Sequence, residues 1–128
     1  MRLLLDTHAL LWWFTDDAGL SAAARQAVSD PSSEVFVSAA SAWEIATKQR
    51  LGKLDGVPDA VRQYAALVAA DGFVHLPVDH LHALRAGAYA IEHRDPFDRM
   101  LAAQSEIESL TLITCDAALD AFGCRTLW

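Results

Sequence analysis

Apolar residues along this chain come in short runs, and the spacing within the runs switches between two periods. "RLLLD" at 2–6 is an unbroken apolar run closed by an acid, the pattern of a strand buried on both faces. "THALLWWF" follows at once with helical spacing, and Thr7 is a candidate cap for that helix. "SAAARQAVSD" reads as a second helix, entered through Ser21 and left at Asp30 and Pro31. "EVFVS", rich in β-branched and aromatic residues, predicts a strand. From Ser38, "SAASAWEIATKQRLG" predicts a long helix stopped at Gly52, with Lys48 and Arg50 near its C-terminus, where the helix dipole favours cations. A turn over "KLDGVP" leads to a helix at 59–70, stopped by Asp71 and Gly72. "FVHLPV" is a brief strand limited by Pro77, and "DHLHALRAGAYAIE" is helical despite Gly87. "HRDPFDRMLAAQ" opens a helix running to about Ser109; "TLITCD" is a strand closed by an acid, "AALDAF" a short helix and "CRTLW" a last strand.

Strands alternating with helices predict an α/β domain whose mostly parallel sheet is covered on both faces. No linker, repeat or low-complexity segment divides the sequence, so 1–128 reads as a single domain. That length buries a core without help from disulfides or a structural metal. Composition agrees: 53% of residues are hydrophobic and 21% charged, the balance of a compact globular chain. No apolar stretch is long enough to span a bilayer. The N-terminal "MRLLLDTHALLWWF" has a basic residue and many apolar ones, but Asp6 and His8 interrupt it and no small-residue cleavage site follows. It reads as part of the fold, which places the protein in the cytoplasm. Cys115 and Cys124 are too few and too unpatterned for a zinc site or a disulfide framework, and read as small buried side chains.

The net charge of −7 poses a question, because nucleic-acid phosphates reward lysine and arginine. Either the partner is not a polyanion, or the acids are gathered where cations neutralise them. Their positions favour the second answer. Open parallel sheets bind ligands beyond the carboxyl ends of their strands. Asp6 and Asp116 close two predicted strands, and Asp95 and Asp98 begin the helix that precedes the second of them. Glu44 lies about two turns into a helix that starts at the same edge. Each acid also has a structural reading. Asp6 and Asp116 serve as N-caps; Asp95 caps a helix with Pro96 at its favoured first position, and Asp98 reaches back as in a capping box. Glu44, set between Trp43 and Ile45, lacks polar neighbours in sequence and should be paired or coordinated. Carboxylates sharing a pocket repel one another unless a cation is present, and Mg²⁺ or Mn²⁺ is the hard ion that takes such oxygens.

Four blocks in order, "LLLDTHALLWW", "VSAASAWEIATKQRLGKL", "HRDPFDRMLAAQ" and "LITCDAAL", resemble the PIN-domain family, most closely the VapC-type toxins of bacterial toxin–antitoxin pairs. The resemblance covers nearly the whole chain. It implies a three-layer α/β sandwich, with a central sheet of four to five short strands flanked by about seven helices. It implies a nuclease that binds Mg²⁺ or Mn²⁺ through clustered acids and cleaves RNA. The family's acids fall on Asp6, Glu44, Asp98 and Asp116, while Asp95 belongs to a "DPFD" variant, a cap first and an outer acid second. Ser105 stands where a small apolar residue is more usual.

On this reading Asp6, Asp98 and Asp116 hold a metal, and Glu44 binds a second one or orients the attacking water. Thr7 and Thr114 flank two of the acids and are candidates to hydrogen-bond them. Arg94, Arg99, Lys48, Arg50 and Lys53 are candidates for the RNA backbone, Arg99 foremost. His8 either approaches the pocket or packs on Trp12. His80 and His82 point apart on a helix and make a poor metal pair, and His75 and His93 have no evident partner. Trp12, Trp13, Phe14, Trp43 and Trp128 exceed what a small core easily absorbs, which suggests a homodimer face or an antitoxin groove on the first helices; the alternative is that all are core. A phosphoacceptor receiver is disfavoured because Leu5 precedes Asp6 and no lysine follows "LITCD". A phosphatase with an aspartate nucleophile is disfavoured because His8 stands where its second acid belongs. A catalytically silent PIN fold that only binds RNA or protein is the remaining rival.

Overall fold

The computed structural model describes every residue except Asp55, so the turn expected over 53–58 lies partly outside the described residues. Among the described residues, five strands form one sheet: β1 (Arg2–Leu5), β2 (Glu34–Ser38), β3 (Val74–Leu76), β4 (Thr111–Ile113) and β5 (Thr126–Leu127). Their order is β3-β2-β1-β4-β5, and all four pairings are parallel. Six α-helices cover it: α1 (Thr7–Phe14), α2 (Ala22–Ser29), α3 (Ala39–Arg50), α4 (Ala60–Ala70), α5 (His80–Ala88) and α6 (Pro96–Glu108). A 3-10 helix (Ala117–Phe122) adds the seventh. The expected three-layer α/β architecture is the one observed.

β1 shows why the layers form. Leu3, Leu4 and Leu5 are all buried, and because side chains alternate along a strand they serve opposite faces. Leu3 and Leu5 join the core made with Leu10, Val28, Ile45 and Val68, while Leu4 joins Leu101, Leu110, Leu112 and Leu119. From β1 the chain builds outward through β2 and β3, then returns to build β4 and β5 on the other side. The order therefore reverses between β1 and β4, where open α/β sheets bind their ligands. Among the described residues, no helix is long and apolar enough to cross a membrane.

Two local expectations need correction. The cap of α1 is Asp6, not Thr7: its carboxylate accepts from the Ala9 amide, and Thr7 is the first helical residue. The segment expected to be helical through Glu92 leaves the helix after Ala88. Its carbonyls turn instead toward Arg99, whose guanidinium donates to Ala86, Gly87, Tyr89, Ile91 and His93. Trp12, Trp13 and Phe14 are half-buried and pack against the core. Trp12 meets Trp128, Trp13 meets Phe73, and Phe14 meets Tyr64. Trp43 is the exception, 64% exposed and edge-on to Phe97.

Candidate metal centre

Asp6 follows β1 directly and is only 5% exposed. Its Oδ1 accepts from the Ala9 amide at 2.7 Å. Burial pushes its carboxyl above the ordinary range and the charge of Glu44 adds to the effect; a hydrogen bond from Thr114, the Ala9 amide and nearby His8 pull the other way. Across the switch point, Asp116 caps the 3-10 helix by accepting from the Ala118 amide at 2.9 Å, and its own amide donates to Thr114 Oγ1 at 3.1 Å. Thr114, itself buried, thus links the two strand-end acids.

Asp98 enters from the first turn of α6, with Oδ2 2.9 Å from His93 Nε2. Burial raises its carboxyl too, and the charges of Asp95 and Asp116 push the same way against His93. Glu44 is buried on α3, with Oε2 3.2 Å from Lys48 Nζ one turn along the helix. Mutual repulsion thus links Asp6 with Glu44 and Asp98 with Asp116. Cys115, expected to be a buried side chain, is exposed at this strand end, and Cys124 is only partly buried; partial desolvation raises the Cys115 thiol, and the charges of Asp6 and Asp116 add to the rise. Five acids from four separate parts of the chain occupy one edge of the sheet, and their oxygens are hard donors of the type that divalent cations take.

Asp95 separates from its neighbour in role. It caps α6 by accepting from the amides of Phe97 and Asp98, with Pro96 at the first helical position. Asp98 does not reach back as a capping box; its side chain turns to His93. Thr7 gives its hydroxyl to Ser41 at 3.1 Å and not to an acid. Arg99, expected to meet phosphate, has its guanidinium committed to five backbone carbonyls, whereas Arg94 is exposed.

Sequence reasoning missed His93 and His82. His93 stands five residues before Asp98 across a non-helical bend, a spacing with no periodic signal. His82 is 1% exposed and belongs to Asp79, His82 and Glu108, the one group among the described residues whose three ligand atoms lie within 4.8 Å of one another. Its hydrogen bonds show that group to be self-satisfied. The Asp79 amide donates to Nδ1 at 3.1 Å, which leaves the ring proton on Nε2, 2.9 Å from Glu108 Oε1. Both ring nitrogens are occupied on opposite sides, so the group closes a capping box and pins it to α6.

The pattern of the PIN domain family matches residues 3–123, and the chain belongs to that family. Its fold is shared by solved structures of low identity. VapBC2 from Rickettsia felis bound to a promoter DNA fragment is 11% identical, with a TM-score of 0.69, over 99% of this chain and 98% of that one. VapBC-1 from nontypeable Haemophilus influenzae is 16% identical, with a TM-score of 0.67, over 99% and 97%. PAE2754 from Pyrobaculum aerophilum is 19% identical, with a TM-score of 0.59, over 98% and 92%. No curated protein matches the chain by sequence.

Proposed function

We propose that the chain is a metal-dependent endoribonuclease, acting in the cytoplasm as the toxin of a toxin–antitoxin pair. One observation carries the reading: at the sheet's switch point the buried Asp6 and the partly buried Asp98 both have carboxyls pushed upward, and each faces another acid. Such an arrangement is costly without a cation and becomes favourable with one. Membership of the PIN family and the likeness to toxin–antitoxin structures support it.

In this reading Asp6, Asp98 and Asp116 would hold Mg²⁺ or Mn²⁺, and Glu44 would hold a second ion or orient water. The ion supplies Lewis acidity at the phosphoryl oxygens and a water of lowered pKa. Thr114 accepts from the Asp116 amide and its hydroxyl would help orient the carboxylate of Asp6, so that both strand ends present their oxygens together. Lys48 and His93 hold Glu44 and Asp98 in place, and the exposed Arg94 stands near enough to His93 to meet the RNA backbone. An antitoxin would cover this edge or the exposed apolar residues beside it, among them Trp43, and a homodimer is part of the same proposal.

The test is cleavage of single-stranded RNA with Mg²⁺ or Mn²⁺, with EDTA and Asp6→Asn as controls. Cleavage lost in both controls is expected. Cleavage that survives both would falsify the metal-nuclease reading, and RNA binding without cleavage would favour the silent module.

A further inference from the structure

Next to the acids lies a cleft of about 350 Å³ whose walls differ in chemistry from the rest of this acidic chain. Trp12 and His8 of α1, Lys48 of α3 and Lys53 of the loop after it all line the cleft, together with Thr15 and Gly56. The inner wall is built from immediate partners of the proposed metal ligands. Lys48 Nζ touches Glu44, and His8 acts on the charge of Asp6. The cleft and the acid edge are therefore continuous.

Trp12 is held in a set orientation. Its ring lies 5.9 Å from that of His8 and 5.7 Å from that of Trp128, both tilted. Gly19 closes over it so tightly that an added Cβ would stand 3.3 Å from Cε2 and Cζ2. Asp17, the acid on the cleft wall among the described residues, is turned to its own chain, where it accepts from the Gly19 amide at 2.7 Å. A fixed aromatic ring and two ammonium groups lining one cleft are the chemistry that holds one base and its phosphate in single-strand binding.

Resting on the nuclease reading above, we infer that this cleft receives one nucleotide of the RNA strand adjoining the bond cut at the acid edge. Its base lies against Trp12 and His8, and its phosphate lies between Lys48 and Lys53. Lys48 thereby touches both Glu44 and the strand, and couples seating of the nucleotide to the acids.

The probe is a fluorescein-labelled single-stranded RNA decamer of mixed sequence, bound in EDTA and followed by anisotropy across a salt series. Trp12→Leu should weaken binding about tenfold, the scale of losing one stacked base. Lys53→Gln, at an exposed position, should weaken binding and reduce the log–log salt slope by about 0.7, one phosphate contact to a single strand. Circular dichroism checks that Trp12→Leu folds, and Lys53→Gln tests the cleft if it does not. Unchanged affinity and slope in Lys53→Gln, or unchanged affinity in a folded Trp12→Leu, overturns the inference while wild-type cleavage stands. Wild-type binding weakened by both variants but without cleavage in Mg²⁺ supports the cleft and overturns the nuclease reading. A wild-type chain that neither binds nor cleaves the decamer overturns both.

Discussion

Helix α6 carries acids at both ends, and the two ends treat them in opposite ways. At the C-terminal end Glu106 accepts two bonds from Arg85, at 2.8 and 3.1 Å, and one from the Tyr89 hydroxyl at 2.6 Å. These hydrogen bonds hold its carboxyl below the ordinary range. Nearby, Asp79 takes the His82 amide and is lowered as well, and Glu108 takes the His82 ring. At the N-terminal end Asp98 has one neutralising partner, His93, and faces two further acids. Burial wins there and the carboxyl rises. The lesson is that proximity of acids does not mark a metal centre. The tightest cluster in the described chain is already satisfied by its own donors, and the looser one is where negative charge lacks partners.

The largest expected effects break this contrast at its two ends. Asp98→Asn should abolish metal-dependent RNA cleavage, by more than the roughly 10- to 100-fold that loss of an outer-shell partner costs. Asp95→Asn should leave cleavage nearly intact, since asparagine caps a helix as well as aspartate. Glu106→Gln should also leave cleavage intact and cost at most about 1 kcal/mol, because its ion pair with Arg85 is half exposed. Side-by-side cleavage assays settle the ranking, and an Asp95→Asn chain as inactive as Asp98→Asn would reverse the roles given to the pair.

Next comes Arg99, the residue whose role the fold changes most. Its planar guanidinium gathers two carbonyls from the end of α5 and three from the bend between α5 and α6. Lysine cannot reproduce that fork. Arg99→Lys should lower stability by on the order of 3 kcal/mol in urea denaturation, as carbonyls lose their donors. An Arg99→Lys chain that keeps full stability and binds RNA more weakly would instead make Arg99 a phosphate contact.

What the sequence revealed divides along the same line. Ser21, Asp95 with Pro96, and the stop at Gly52 were readable because capping rules are local. The shared edge of the acids was readable because a parallel α/β order sends every strand end the same way. The carbonyl cage of Arg99 and the His93–Asp98 pair were not, because both depend on an irregular bend whose path no periodicity encodes. His82 was hidden for a similar reason: its partner Glu108 is 26 residues away, and only the packing of α5 on α6 brings them together. The Lys48–Glu44 pair, by contrast, is legible in the sequence as an i,i+4 spacing on a helix.

A smaller effect sharpens the acid edge itself. Thr114→Val keeps the shape of the side chain while removing the donor to Asp6 and the acceptor for the Asp116 amide. Mg²⁺ or Mn²⁺ affinity, measured by calorimetry, should fall by roughly 10- to 100-fold, the range for groups that orient ligands. Unchanged affinity would reduce Thr114 to a strand-end residue.

The smallest effect is a pH dependence whose sign differs between the two ends of α6. Asp6 and Asp98 have carboxyls raised by burial above the ordinary aspartate value of 3.8. Between that value and their raised folded values, the folded chain binds more protons than the unfolded one. Stability therefore falls as pH rises through this window. Asp79 and Glu106 are lowered, so their contribution is complete above the ordinary carboxylate range and is lost as pH falls through their folded values. Melting temperatures in EDTA should thus rise slightly as pH drops from neutral toward the ordinary carboxylate range, then fall as the far end titrates. Asp6→Asn and Asp98→Asn should each flatten the rise and leave the fall. Saturating Mg²⁺ should invert the first limb, because a bound cation favours the ionised carboxylates and acid then competes with it. A first limb that Mg²⁺ leaves unchanged would mean these two acids are raised by burial alone and hold no ion.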